Sequence, residues 1–230
     1  MKRGCVVSMF LLLFMPVGSA QYVIDALPRW MFSMHGEYMV PQGAIDPFLS
    51  PGGWGYRIEG QYRLHYNQPF VAGLYFNEAS ISRYSKTYMD SGVDIREKAS
   101  TRRFEYGLTA GFYPEVNWIL QPYVQGRFGR ALYKTSSVLT DRDTGENIDR
   151  IKEYAEHVLA YGLDFGIHIV PDIWYVRGDV RVGIIANPSV TFLSLNEALK
   201  DMVTYPVEAF EQHTSSGLWV KVSAGVSYLF

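Results

Sequence analysis

The chain has 230 residues, of which 48% are hydrophobic and 15% aromatic, with 21 Lys and Arg against 23 Asp and Glu. A net charge of −2 excludes the strongly basic surface that nucleic-acid binding requires, and a single cysteine excludes a disulfide scaffold and paired-cysteine zinc motifs. The 21 glycines argue against a helical bundle, because glycine costs about 1 kcal/mol at each helix position.

The first twenty residues have the pattern of a secretory signal peptide. Lys2 and Arg3 form a basic start, residues 6–15 are a mostly apolar run, and residues 18–20 supply the small side chains that signal peptidase requires. We therefore predict cleavage after residue 20 and one domain over 21–230. The apolar run is too short to cross a bilayer as a helix, and no later segment approaches 18 consecutive apolar residues.

After the leader, the chain alternates apolar and polar residues with a period of two, which is the pattern of β-strands. The alternation is cleanest over 56–66, 174–184 and 218–230. In chain order, the predicted strands cover roughly 30–40, 56–66, 70–83, 103–113, 118–133, 157–169, 174–184 and 218–230. Most are about 11 to 14 residues long, which exceeds the usual soluble strand and suits a tilted membrane-spanning strand.

The predicted connections alternate between short turns and long polar segments. Short turns with Pro or Asn lie at 67–69, 114–117 and 170–172. The long connections cover 41–55, 84–102, 134–156 and 186–216. This alternation predicts an all-β fold: an eight-stranded antiparallel up-and-down transmembrane barrel with short periplasmic turns and four long outer loops.

The placement of aromatic residues indicates which face of the strands points outward. A soluble lipocalin-like barrel would have the opposite arrangement, with an apolar interior and a polar exterior. Here aromatic side chains fall on the apolar face beside the short turns, where a membrane-interface girdle is expected. These residues are Trp30, Tyr66, Phe70, Phe112, Trp118, Trp174, Tyr228 and Phe230. We therefore predict that the apolar face contacts lipid.

The combination of a leader, eight such strands and the ending Val226-Ser227-Tyr228-Leu229-Phe230 resembles small outer-membrane barrels of the OmpA transmembrane-domain and OmpX type. The resemblance implies a location in the outer membrane of a Gram-negative-type bacterium, surrounded by outer-membrane lipid. It also implies that Val226, Tyr228 and Phe230 form the signal read by the barrel-assembly machinery. The resemblance rests on architecture and transfers no other functional residue.

The polar faces predict a network of charges inside the barrel. The cations are Arg57, Arg63, Arg127, Arg177, Arg181 and Lys221, and the anions are Glu37, Glu59, Glu105, Asp164 and Asp179. His35, His65 and His168 fall on the same faces and are expected to join them. Buried charges must be paired, and an eight-stranded barrel is narrow enough for side chains to fill. The network is interpreted as a structural plug, with a gated ion path as the alternative.

The histidine at the predicted outer rim raises an enzymatic alternative. Some eight-stranded outer-membrane barrels modify lipid A with a His beside a Ser or an acid, and His157 lies near Glu156, Ser136 and Ser137 in the sequence. A nucleophile and its base must lie within hydrogen-bond reach, which the spacing does not establish. No catalytic residue, cofactor or metal ligand is therefore predicted.

Residues 141–147 (Asp-Arg-Asp-Thr-Gly-Glu-Asn) partly resemble a calcium loop. An EF-hand requires Gly at its sixth position and Glu at its twelfth, but Gly145 is fifth and Lys152 is twelfth. A turn at the tip of two strands is the preferred interpretation.

A short helix is predicted over 194–202. Ser194 and Glu197 have the spacing of a capping box, and residues that favour helices follow. This helix would stiffen the longest outer loop or cover the mouth of the barrel.

The function favoured by the sequence is that of a non-enzymatic outer-membrane protein with a plugged lumen. Its role would be structural, or it would bind an extracellular ligand or protein through the outer loops, since variable loops on a rigid scaffold commonly carry binding. The alternatives are a small transport pore and a lipid A-modifying enzyme.

Overall fold

The computed structural model describes residues 29–43, 52–65, 68–90, 92–114, 119–170, 175–196, 199 and 206–230. It contains eight strands: β1 (Trp30–Gln42), β2 (Gly53–Arg63), β3 (Phe70–Asp90), β4 (Val93–Phe112), β5 (Leu120–Asp141), β6 (Asn147–Ile169), β7 (Val176–Leu195) and β8 (Phe210–Leu229). A 3₁₀ turn covers Pro206–Ala209. The predicted signal peptide lies outside the described residues.

The eight strands form a closed barrel in chain order, and each strand is antiparallel to its neighbours. The first and last strands close the barrel by reciprocal backbone hydrogen bonds between Trp30 and Phe230, each 3.0 Å from N to O. The predicted fold class is confirmed. Among the described residues, no helix is both long enough and apolar enough to span a membrane.

The two faces of the barrel wall have opposite polarity. In β4, Leu108 points outward and is 61% exposed, whereas Glu105 points inward and has no exposed surface. The same alternation holds in β2, where Arg57 is fully buried and Tyr56 is exposed. An apolar exterior around a polar interior is the arrangement of a transmembrane barrel, because lipid replaces water around the outer face. The predicted orientation of the faces is correct.

Aromatic side chains surround the end of the barrel that carries the short turns. Trp30, Phe70, Phe112, Tyr228 and Phe230 are all outward and exposed. The rings of Phe70 and Phe112 meet edge to face with centroids 5.5 Å apart. Tyr66, Trp118 and Trp174 lie outside the described residues.

The outer connections differ from the loops expected. β3 and β4 remain paired until Asp90 faces Val93, and β5 and β6 until Thr140 faces Asn147. Most of 84–102 and 134–156 is therefore strand that extends beyond the lipid-facing band. Outside the membrane both faces of a strand contact polar surroundings, so hydropathy loses its period of two although the backbone pairing continues.

The barrel wall divides in its outer half. β6 pairs with β7 only between Tyr161 and Ile169, whereas β7 remains paired with β8 as far as Leu195 and Phe210. Ser194, the predicted helix start, belongs to β7. Most of the remaining predicted helix lies outside the described residues.

An apolar core fills the outer part of the barrel interior. Its largest members are Trp219, Tyr133, Phe192 and Met39, all at most 1% exposed. The complete cluster is Met39, Ala79, Ile81, Ala131, Tyr133, Val158, Ala160, Ile185, Val190, Phe192 and Trp219. The interior thus has a charged layer nearer the short turns and an apolar layer above it.

Gly107 permits close approach of β4 and β5, where it faces Gly129. A Cβ at Gly107 would lie 2.2 Å from the carbonyl oxygen of Phe128. We expect Gly107→Ala to destabilise the barrel by about 1–3 kcal/mol, because the backbone of two strands must separate. Urea unfolding in detergent would measure this loss.

Gly60→Ala is the matched control, since a Cβ there meets no atom within 4 Å. Equal unfolding midpoints for the two variants would contradict the proposed close packing at Gly107.

Candidate functional site

The charged layer is built from inward-facing positions on seven strands. Period-two alternation directs Glu37 of β1, Arg57 and Glu59 of β2, Glu105 of β4 and Arg127 of β5 into the lumen. The predicted residues Asp164 of β6, Asp179 and Arg181 of β7 and Lys221 of β8 also enter the lumen. Each of these side chains is at most 4% exposed.

Asp164 is the centre of this layer. Its Oδ2 lies 2.9 Å from Arg57 Nη1, 3.1 Å from Arg127 Nε and 3.1 Å from Lys221 Nζ. One carboxylate thus contacts three cations that come from three different strands. Because none of the four side chains is exposed, water does not screen these contacts.

Further carboxylates balance the remaining charge. Glu37 lies 3.0 Å from Lys221 Nζ, and Glu59 lies 2.9 Å from Arg57 Nε. Glu59 also lies 3.1 Å from Arg181 Nη1. In a medium of low dielectric, such pairing is what makes burial of the charges tolerable.

A second group of contacts surrounds Asp179, nearer the short turns. Its carboxylate lies 2.8 Å from His35 Nε2, accepts a 2.6 Å hydrogen bond from Tyr123 OH and contacts Arg181. His168 Nε2 lies 3.5 Å from the same carboxylate. The two histidines thus contact one fully enclosed carboxylate.

The structure separates three predicted residues from the centre of the charged layer. Arg63 and Arg177 lie close to the short-turn end, where Arg63 Nη1 donates to the Gln68 carbonyl at 3.4 Å. His65 is exposed beyond the end of β2, so its expected place in the interior was wrong. The apolar–polar alternation of the sequence continues as far as His65, whereas β2 ends at Arg63.

Several lumen residues were missed from the sequence. Arg103 is fully buried against Glu105, and Tyr75 donates a 2.7 Å hydrogen bond to the same carboxylate. Arg103 is two residues from Glu105 on β4 and therefore shares its face, and this signal was present at the predicted start of the strand. Tyr75 lies in a segment that is apolar on both faces, where alternation gives no guidance. With Arg103 included, the charged layer has as many buried cations as buried carboxylates.

Arg103 also joins the charged layer to the apolar core. Its Nε donates to Tyr133 OH at 3.1 Å, and Trp219 Nε1 donates to the same oxygen at 3.1 Å. Tyr133 in turn donates to Asn187 Oδ1 at 3.0 Å. These buried polar atoms of the core are therefore hydrogen-bonded into the network beneath them.

Two residues of the enzymatic alternative, His157 and Ser137, do not form a catalytic pair. His157 is exposed on the outer face of β6, whereas Ser137 is buried on the inner face of β5 and donates to Glu97 at 2.8 Å. Side chains on opposite faces of one sheet cannot meet. Glu156 accepts hydrogen bonds from Tyr154 OH at 2.6 Å and from the Thr191 amide at 2.9 Å.

Residues 141–146 form the turn expected at the tip of β5 and β6. Asp141 Oδ1 accepts hydrogen bonds from the amides of Asp143 at 2.8 Å and Thr144 at 3.3 Å, and Gly145 has a φ of 72°. The amide hydrogen bonds lower the pKa of the partly exposed Asp141 carboxyl below its usual value. Among the described residues, no group of His, Cys, Asp and Glu side chains has the arrangement of a metal site.

The residues of the predicted assembly signal all point outward. Val226, Tyr228 and Phe230 are 58%, 48% and 62% exposed on β8 and at its end. Their recognition by assembly machinery stays a prediction.

Comparisons with known proteins identify similar solved structures but no family. No family model matches the chain, and no curated protein matches it. Neisserial surface protein A is 13% identical with a TM-score of 0.46, and the match covers 87% of this chain and 97% of that one. A major outer membrane protein of Thermus thermophilus is 14% identical with a TM-score of 0.45, covering 87% and 99%. Ail of Yersinia pestis, solved with a heparin analogue, is 11% identical with a TM-score of 0.38, covering 88% and 99%. These similar structures are small outer-membrane barrels, and none transfers a residue role to this chain.

Proposed function

We propose that the protein is an integral outer-membrane barrel of a Gram-negative-type bacterium whose lumen is closed to ions and solutes. It is non-enzymatic, and its role is structural or is carried by its outer extensions. The observation that carries the closed lumen is the complete burial of the charged layer. A water-filled pore would expose the charged groups that line it, whereas Arg57, Asp164 and Lys221 have no exposed side-chain surface.

The apolar core supports the same proposal independently. Trp219, Tyr133 and Phe192 fill the interior directly above the charged layer and are fully buried. An ion that crossed the barrel would have to pass through both layers. Moving an unpaired ion into such an apolar layer carries a large desolvation cost.

The outer extensions supply the surface for a binding role. The β4 segment from Val93 to Thr101 alone provides roughly 30 Å of strand beyond the lipid-facing band. It is flanked by β3 and β5 in continuous register as far as Ile95. Such a rigid projection can present the connecting segments to an extracellular ligand or protein partner.

Planar-bilayer recording of the purified barrel tests the closed lumen. We expect no steady conductance at moderate voltage, because the ion pairs and the apolar core close the path together. An eight-stranded barrel inserted under the same conditions and known to conduct would be the positive control. Stable, repeated single-channel steps from this protein would overturn the closed lumen in favour of a small pore.

A further inference from the structure

The outer face of β3 to β5 carries a cluster of cations just beyond the apolar band. We call this cluster the basic patch, and its members are Arg83, Arg96, Lys98, Arg102, Arg130 and Lys134. Lys134 is partly exposed and the other five are exposed. All six lie on the outward face, so the patch is separate from the charges in the lumen.

The patch begins where the hydrocarbon region of a membrane ends. On β4, outward positions from Phe112 to Phe104 are apolar, and the next outward residue is Arg102. On β5, outward positions from Leu120 to Phe128 precede Arg130. Each apolar stretch has the length that a tilted strand needs to cross the hydrocarbon, about 9–11 residues. The first cations of the patch therefore lie at the outer edge of the hydrocarbon, within reach of the lipid headgroups.

Two positive charges of the patch face each other directly. Arg102 and Lys134 are opposite residues on β4 and β5, an arrangement that is unfavourable for like charges. Among the side chains that the structure describes, Glu78 is the carboxylate paired with the patch, and its Oε1 lies 3.0 Å from Arg102 Nη1. One carboxylate does not neutralise Arg102, Arg130 and Lys134, so this part of the patch favours an added anion.

Arg130 lies among apolar side chains at the edge of the apolar band. Its neighbours along β5 on the same face are Phe128 and Leu132, and its neighbours across the sheet are Tyr106 and Leu159. A cation on the lipid face of a barrel has a free-energy cost that is largest near the bilayer midplane. This cost falls as the charged group approaches the membrane–water interface. The long side chain of Arg130 can extend along this apolar surface to the headgroups.

An apolar groove lies on the membrane side of the patch, and its lining runs from β3 to β8. Ala72, Ala110 and Gly126 are adjacent on β3, β4 and β5, and the lack of large side chains at these positions leaves a depression beside Leu108 and Phe128. The groove has a volume of about 840 Å³. Along β5 it begins two residues from Arg130, so a molecule in the groove can also reach the patch.

We propose that the basic patch and the apolar groove together bind one phosphorylated, acylated glycolipid of the outer leaflet. Its phosphates contact Arg102, Arg130 and Lys134, and its acyl chains lie along the groove. Guanidinium groups suit this ligand because they form two parallel hydrogen bonds to a phosphate. The site lies on the outer face, so it does not depend on whether the lumen conducts.

Binding of defined lipids to the purified full barrel in neutral detergent tests the proposal. Native mass spectrometry would compare bisphosphorylated lipid A with dephosphorylated lipid A that carries the same acyl chains. We expect the phosphorylated form to bind about tenfold or more tightly, and inorganic pyrophosphate alone to bind weakly, because it lacks the groove contacts. Equal affinity for the two lipids, or pyrophosphate binding as strong as that of the phosphorylated lipid, would overturn the proposal.

A pair of matched variants locates the site. The double variant Arg102→Gln/Arg130→Gln is expected to lose the preference for the phosphorylated lipid. The control Arg142→Gln/Arg150→Gln removes two exposed arginines near the β5–β6 tip and should retain it. A preference kept by the first variant would show that the patch is not the site. If the double variant does not fold, Lys134→Gln replaces it, with a smaller loss of preference expected and an unchanged preference counting against the proposal.

Discussion

Replacing Asp164 with asparagine is expected to lower the free energy of unfolding by about 3–5 kcal/mol, the cost typical of removing one partner from a buried ion pair. Asparagine preserves the shape of the side chain but removes the charge shared by Arg57, Arg127 and Lys221. Three buried cations would then have only Glu37, Glu59 and Glu105 nearby as anions among the described residues. Urea unfolding of the barrel in detergent, followed by tryptophan fluorescence, would measure the loss.

The control for Asp164→Asn is Asp143→Asn. Asp143 is exposed in the turn at the tip of β5 and β6, so its substitution should change stability by no more than about 0.5 kcal/mol. A loss below about 1 kcal/mol for Asp164→Asn would contradict the central role assigned to this carboxylate.

Trp219→Ala is expected to destabilise the barrel by about 3–5 kcal/mol through the cavity that it leaves. Trp219 is fully buried in the apolar core and donates its Nε1 hydrogen bond to Tyr133 OH. Its loss would remove packing from Phe192 and Met39 and one polar contact from the oxygen that Arg103 also binds. The same unfolding measurement detects the effect.

Leu218→Ala is the matched control for Trp219→Ala. Leu218 is the adjacent residue on β8 but points outward and is 41% exposed. Lipid can fill the space left by its side chain, so we expect a loss of only roughly 1 kcal/mol. Similar losses of unfolding free energy for the two variants would show that tight packing of the apolar core does not contribute to the stability of the barrel.

The sequence predicted strands well where one face met lipid and the other met the lumen. In β2, the alternation of Tyr56, Ile58 and Tyr62 with Arg57 and Glu59 identified both the strand and its faces, because the two environments differ sharply in polarity. In β3 the alternation failed, since Tyr75 is an inward residue on a face that reads as apolar. Its hydroxyl makes it a member of the polar network only through contact with Glu105.

The outer strand extensions were not predictable from the same pattern. Segments 84–102 and 134–156 are rich in polar residues on both faces, and hydropathy alone cannot distinguish such strands from loops. The backbone hydrogen bonds between β3, β4 and β5 decide their structure. The basic patch was not predictable either, because Lys98, Arg102 and Lys134 share an outward face only if these segments are strands.

The sequence by itself determined the number of strands in the barrel, the polarity of their faces and most of the charges that enter the lumen. Only the tertiary structure decided which charges meet. Arg57 and Asp164 are separated by 107 residues, and they are in contact because closure of the barrel places β2 and β6 across a narrow lumen. The period of two decides which face of the sheet each side chain points to. Whether two inward side chains lie at the same height in the lumen depends on the register of every strand pair between them. That register is a property of the closed sheet, and no local pattern in the chain encodes it.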